Sequence, residues 1–487
     1  MDVSFEAIAP LRFGYGRRPG EPETPTPESL LAQVPEGTGQ QPGFGREGTA
    51  ERLRRFHDLI VTFREARKAK DKQALEAARA ARSAYLFNTY ARDAHARVLW
   101  SVSQPLGFFE RLAFFWADHF TVSTQKQVIR HLAGCFEAEA IRPNIAGDFV
   151  TLLRRASLHP AMLIYLDQNR SVGPGSTVGK RGERGLNENL AREIMELHSL
   201  GVDGGYDQAD VRQFAELLTG VTIDRPKGRR VFDERQAEPG SKELLGQVYG
   251  AEVHDMPAVH QALEDLARHP ATARHIARKL AVHFLSDDPP EEVVEHLTAT
   301  YQNNDTQLMP VYRALLEHPA AWETYGQKIR QPFDLIVTSL RIALPPGEEA
   351  DFTAPRTEAD EDEAMMAGNA MAGNAMAGGG MQSVLKPRNF RWTLLPLNRF
   401  SQLPWSAPGP DGWPEAAEAW ISPQGLTERL AFATRLAKGP FRRTSAKRVM
   451  RAAFGEEGSD RLALLALEAR GAEARTLILA SPEFQRR

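Results

Sequence analysis

Apolar residues recur at three- and four-residue steps along most of this chain, the period of amphipathic helices. Long Ala- and Arg-rich helices are predicted over residues 51 to about 70 and 73–101, and an aromatic one within 105–123. Further helices are predicted at 129–141, 147–156, 271–285, 290–303, 308–317 and 329–342. The β signals VTI, RRVF and GQVYG all lie in residues 221–250, with the turn Pro226-Lys227-Gly228 after the first. The expected fold is mainly α: a multi-helix globular fold with a small β-hairpin near 221–250 and a disordered insert near 358–382. That insert is a run of acids followed by AMMAGNAMAGNAMAGGGM, an imperfect five-residue repeat whose small residues cannot offset the entropy of ordering. The domain organisation follows: a Gly- and Pro-rich N-terminal strap (1–46), a helical core (47–357), a low-complexity linker (358–384) and a C-terminal helical segment packed on the core (385–487).

One stretch departs from an ordinary amphipathic pattern. Residues 185–210, GLNENLAREIMELHSLGVDGGYDQAD, place Leu190, Ala191, Ile194, Met195 and Leu197 on one side of a helix and Asn189, Glu193 and Glu196 opposite. Arg192 is spaced to pair with Glu196, while Glu188 lies further round the polar face. His198 projects into the apolar stripe. Gly201 is a helix stop, and Asp207 with Asp210 reads as the capping box of the next helix. The polar residues have two readings: a solvated face of surface ion pairs, or a buried carboxylate cluster that serves proton transfer or a metal.

A partner for such a cluster is present in PLGFFERLAFFWADHFTVS, residues 105–123. There His119 falls in the middle of an aromatic stripe of Phe108, Phe109, Leu112, Phe115, Trp116 and Phe120. A buried imidazole needs a hydrogen-bond partner, and a backbone carbonyl serves as well as a carboxylate. The triplet His-Pro-Ala recurs at His159, His269 and His318, where proline at the first helical position makes each histidine helix punctuation. The glycine-rich run QNRSVGPGSTVGKRGERGL, ending just before Asn187, has no GxxxxGK[ST] and no preceding strand, which excludes a P-loop. It is expected to be a flexible lip beside the polar helix.

Composition narrows the function classes. With 60 basic and 63 acidic residues the formal charge is −3, so no global attraction draws nucleic acid or an anionic membrane. The single cysteine, Cys135, rules out an intrachain disulfide and any multi-cysteine metal site. No apolar run approaches the roughly 18 residues of a membrane span, and the first residues lack a secretion pattern, so the expected location is cytoplasmic.

ERLAFFWADHF, HPAMLIYLD, NENLAREIMELHSLGVDGGY, the Gly-Trp-Pro at Gly412 and the terminal SPEF together resemble a bacterial family known as domain of unknown function number eighteen hundred. The resemblance spans nearly the whole chain and implies a mostly helical fold without an assigned activity. It also implies a partner, because genes of this family often neighbour those of an exported alkaline-phosphatase-like group. Two residues depart from the family pattern: Asp118 stands where Asn is usual, and Ala237 stands where a histidine precedes the Glu-Pro-Gly turn.

Two functions from different classes fit these residues. One is an enzyme with His119, Asp167, Glu193 and Glu196 as catalytic groups and Asn187, Glu188, Asn189 and Arg192 as substrate-binding groups. A divalent ion such as magnesium, manganese or iron suits mixed carboxylate and imidazole ligands, though the residues leave open whether one is bound. The other is a non-catalytic scaffold, or a maturation or export partner of the alkaline-phosphatase-like neighbour, with the same polar residues forming a satisfied network. If both are interior, His119 should meet Glu193 or Glu196 directly, or through one ion or water.

Overall fold

Local signals set the helices. The computed structural model describes residues 5–16, 25–105, 107–182, 185–250, 255–343, 390–454 and 469–487; the insert expected near 358–382 and the linker at 358–384 lie outside them. Among the described residues the protein is mainly helical, with 21 α-helices and two small antiparallel sheets of two strands each. Each His-Pro-Ala triplet starts a helix: the Nδ1 atoms of His159, His269 and His318 accept the N–H of the residue two positions on, at 3.1, 3.1 and 3.2 Å. Asp207 and Asp210 close a reciprocal capping box on the Gln208–Leu218 helix. The 221–250 region holds two hairpins where one was expected, Val221–Asp224 with Arg229–Phe232 and Lys242–Leu244 with Gln247–Tyr249. The second closes through Leu245 (φ 50°) and Gly246 (φ 75°), a pair of left-handed residues that the Leu-Gly dipeptide does not announce.

The apolar stripes meet in two cores. The larger one gathers the Gly107–His119, Phe149–Ser157, Gln208–Leu218, Met256–Arg268, Pro270–Phe284 and Leu308–Glu317 helices, and it contains Phe108, Phe115, Trp116, Ile194 and Met195. The second joins Tyr15 and the long Lys72–Ser103 helix to the Pro332–Ala343 helix and to Trp392, Leu436, Ile478 and Phe484 of the C-terminal segment. The aromatic Gly107–His119 helix runs between them, since Phe115 belongs to the first core and Phe114 packs on the second. Its last two residues, Asp118 and His119, therefore arrive at the seam. No described helix is long and apolar enough to cross a membrane.

Candidate active site

The seam is organised by the carbonyl end of the central helix. Asn189–Glu193 is α-helical and continues into a π turn at Ile194–His198. Helix ends leave carbonyls without intrahelical partners. Here Ser199 Oγ donates to the Ile194 carbonyl at 2.6 Å and the Gly201 N–H to that of Met195 at 3.2 Å. The Leu197 and His198 carbonyls are taken by imidazoles from two other helices, His275 Nε2 at 3.1 Å and His119 Nε2 at 3.2 Å. A carbonyl only accepts, so both rings carry the proton on Nε2. His119 Nδ1 is then an acceptor, and it is buried without a partner among the described residues.

Gly201 is required by this arrangement. Its φ is +85°, and a Cβ there would lie 2.9 Å from His275 Nδ1. Gly201→Ala should destabilise the protein by roughly 1–2 kcal/mol, from left-handed strain and the displaced imidazole. Urea denaturation measures this; an unchanged midpoint would show that the imidazole cap is dispensable.

His275 belongs to the Pro270–Phe284 helix, where His275, Lys279 and His283 follow at four-residue steps and so share one face. Opposite them lies the loop Asp411-Gly412-Trp413-Pro414-Glu415. The Trp413 N–H donates to Asp118, 3.0 Å from Oδ1 and 3.2 Å from Oδ2. Gly412 permits that approach, with φ +88° and space that a Cβ would fill only 2.7 Å from Asp118 Oδ2. Glu415 accepts from His283 Nδ1 at 2.5 Å and from Lys328 Nζ at 2.9 Å.

These elements enclose a cavity of about 290 Å³, with Phe115, Val282 and Trp413 as apolar wall and Asp118, His119, His275, Lys279 and Glu415 among its polar lining. A void of about 30 Å³, the size of one water, lies on the other side of Asp118 and touches Arg97, Glu137 and Trp405. Asp118 is thus the wall between the cavity and a buried ionic network.

Burial dominates the electrostatics. It pushes the Asp118 carboxyl up to about 8, helped by the negative charges of Glu415 and Asp411 and opposed by Lys279. It lowers the Lys279 ammonium, against the attraction of Asp118, Glu415 and Asp411. His119 is lowered well below the ordinary imidazole value, and His198 and His275 to about 3 and about 4, by burial first and nearby positive charge second. Glu415 is held down despite its burial by His283 and Lys328. The cavity therefore presents neutral imidazoles, a protonated carboxylic acid and an amine displaced toward its free base.

The residues singled out in the sequence are distributed unevenly around this cavity. His119 lines it. Glu193 and Glu196 are half-buried and make no hydrogen bond or ion pair among the described residues; Glu193 is pushed up to about 7, first by burial and then by Glu196, with Asp411 adding to the rise. The expected meeting does not form: His119 hydrogen-bonds the backbone of that helix, since its end offers orphan carbonyls where the helix side offers carboxylates that water still reaches. Asp167 sits elsewhere, with φ 57°, bonded at 2.7 Å to Lys126, whose ammonium also holds the Ile164 and Tyr165 carbonyls. Asn187 accepts the Asn189 N–H and starts the helix, and Asn189 itself is exposed. Arg192 pairs with Glu188 at 3.3 Å and with Gln208, leaving Glu196 alone; Glu before Arg at four residues is the favoured order.

The glycine-rich run does not cover the cavity. Gly173 and Val178 donate their N–H groups to Gln236 and Arg235, and Gly175 donates to Glu238 Oε2 at 2.6 Å, so it packs on the segment after the first hairpin. Ala237, the second departure from the family pattern, is buried there beside Gly220. Among the described residues no three His, Cys, Asp or Glu side chains converge to hold a metal ion.

Lys279 and Glu415 were missed by sequence reasoning, and Asp118 was marked only as a departure from the family's usual Asn. The one available signal was HIARKLAVH, residues 275–283, whose His-Lys-His spacing marks a helix face. The sequence model of a family described as "Protein of unknown function (DUF1800)" matches residues 9–486. No curated protein and no solved structure matches the chain.

Proposed function

We propose, on the premise that the chain belongs to the DUF1800 family, that it is an enzyme whose acid–base chemistry takes place in the cavity at the seam. Asp118 serves as general acid, Lys279 as the basic amine, and His119 and His275 as neutral hydrogen-bonding groups beside them. The observation that carries this is that Asp118 and Lys279 line one cavity, neither held by an ion pair among the described residues, where burial raises the carboxyl and lowers the ammonium. A non-catalytic scaffold or export partner of an alkaline-phosphatase-like protein calls for a mutually satisfied network. Among the described residues His119 Nδ1 is buried and not satisfied.

Asp118→Asn tests the assignment, because asparagine still accepts the Trp413 N–H and carries no charge. A carboxyl whose folded pKa is raised contributes stability that is fully present below its ordinary value near 4 and lost as the pH rises through about 8. The variant should therefore match the parent near pH 5 and exceed it by on the order of 1–3 kcal/mol near pH 8. Calorimetry at both pH values measures the difference. Carboxyl ¹³C NMR should find a midpoint near 8 that vanishes in the variant; a midpoint near 4 would overturn the acid–base assignment.

A further inference from the structure

Two lysines approach this cavity, and they are held differently. Lys328 is fully buried and saturated: its ammonium lies 2.7 Å from Asp287, 2.9 Å from the Glu415 carboxylate and 2.9 Å from the Glu415 carbonyl. Lys279, half-buried, makes no hydrogen bond or ion pair among the described residues, although three carboxyl groups surround it. Those groups are otherwise engaged or exposed to solvent. Glu415 is bound by His283 and Lys328, and Asp118 by the Trp413 N–H. Asp411 is exposed. Phe115, Val282 and Trp413 supply an apolar wall. An amine with this environment is a nucleophile once it is neutral.

We propose that Lys279 forms an imine with a small neutral or cationic aldehyde or ketone bound in the cavity, with Asp118 exchanging the protons. This rests on the acid–base cavity described above. The Lys279 nitrogen bonds to the carbonyl carbon, and the π pair moves to the oxygen, which takes a proton. Asp118 supplies that proton, and its carboxylate takes one proton from the nitrogen, which completes the carbinolamine and restores the acid. The hydroxyl then leaves as water with a proton from Asp118, the nitrogen lone pair forms the C=N bond, and the remaining nitrogen proton restores the carboxyl. Amine and carbonyl become imine and water, with no oxidant or reductant required.

The charges around the cavity select the substrate. Asp411 lines it, and the same charge reaches Glu193. The one guanidinium of the lining, Arg278, is bound to Glu291 at 2.5 Å. A 2-oxo acid would meet uncompensated negative charge, whereas a neutral or cationic carbonyl compound would not.

The full chain, treated near pH 7.5 with glyceraldehyde and sodium cyanoborohydride and then digested, tests this by peptide mass spectrometry. Lys279 should be alkylated at least about tenfold faster than exposed Lys68 and Lys72, and glyoxylate should label it more slowly than glyceraldehyde. Asp118→Asn should slow labelling at Lys279 by about tenfold and leave the other lysines unchanged. Lys279→Arg, which keeps the positive charge, should melt like the parent and lose only this label. Lys279 reacting no faster than Lys68 would overturn the proposal. The carboxyl NMR midpoint separates the two claims: a midpoint near 8 with uniform labelling removes the imine alone, and a midpoint near 4 with selective labelling removes the assigned acid.

Discussion

Replacing Arg142 by methionine is expected to destabilise the protein by roughly 3–5 kcal/mol, the range for leaving a buried charge without its partner. Arg142, Arg97, Glu110 and Glu137 form a buried square, each side chain 1 or 2% exposed. Arg142 contacts both carboxylates, bonding Glu110 through Nη2 and lying 3.4 Å from Glu137 through Nη1. Trp100 and Trp405 add indole N–H bonds to Glu110 and Glu137 at 3.0 and 2.8 Å. The square is neutral as it stands, and Glu110 is held below its ordinary value by Arg142 and Arg97 against the effect of burial. Methionine retains much of the contact with the Phe109 ring, over which the guanidinium now lies at 4.8 Å, so the loss reports mainly the charge. The double variant Arg142→Met with Glu110→Gln should recover at least half of it, because the orphaned carboxylate is gone. Urea denaturation measures both; a loss under about 1 kcal/mol for the single variant would show that water reaches the square. Arg97 and Glu137 also touch the small void behind Asp118, so the same substitution should shift the carboxyl midpoint of Asp118.

Acidification should weaken the fold steeply well before the carboxylates titrate. His119 is held well below its ordinary value, and His131, His198 and His275 are lowered to about 3, about 3 and about 4, with burial the first cause in each. In the unfolded chain all four bind protons near pH 6.5. Groups with depressed folded-state values contribute stability above that pH, and the contribution is lost as the pH falls toward 3 or 4. Asp118 and Glu193 act in the opposite sense, since raised carboxyls favour the folded state on acidification. His95, lowered to about 4 by burial, adds a fifth imidazole, and five against two leave a net uptake of about three protons, or on the order of 4 kcal/mol lost per pH unit between about 6.5 and 4.5. Guanidinium denaturation at pH 7, 5.5 and 4.5 would read this slope. His131→Phe isolates one contributor, because His131 is fully buried and stacks on Phe56 with centroids 4.6 Å apart. That variant should flatten the slope by about one proton, roughly 1.4 kcal/mol per pH unit. A pH-independent midpoint from 7 to 4.5 would mean that these imidazoles open to water at little cost.

The neutral imidazoles also bear on the chemistry. Two of them, His119 and His275, line the cavity and donate to backbone carbonyls, so each presents a lone pair on Nδ1 at physiological pH. A protonated imidazole there would repel the Lys279 ammonium further and remove an acceptor. Loss of carbonyl trapping below pH 6 is consistent with amine protonation alone, which is why the labelling experiment sits near pH 7.5.

What the amino-acid order determined by itself was local. The 3.6-residue period set the helices, proline after histidine placed three helix starts, Asp207 with Asp210 started one helix, and Gly201 ended the one before it at φ +85°. The aromatic stripe around His119 announced its burial, because only a core surrounds one imidazole with Phe115, Trp116 and Phe120. The carboxylates of the central helix were misleading for the same reason: helical spacing tells which side a residue faces, but not whether solvent or another element lies there. Tertiary structure decided that the helix end, and not its polar side, receives His119. It also brought Glu415 to His283 across 132 positions and the Trp413 N–H to Asp118 across 295. Lys279 carried no mark in the local order, and only the fold placed it on one cavity with Asp118, Asp411 and Glu415. Proton affinities depend on burial and on distances of a few ångströms between groups far apart in the chain, and neither quantity is written in local order.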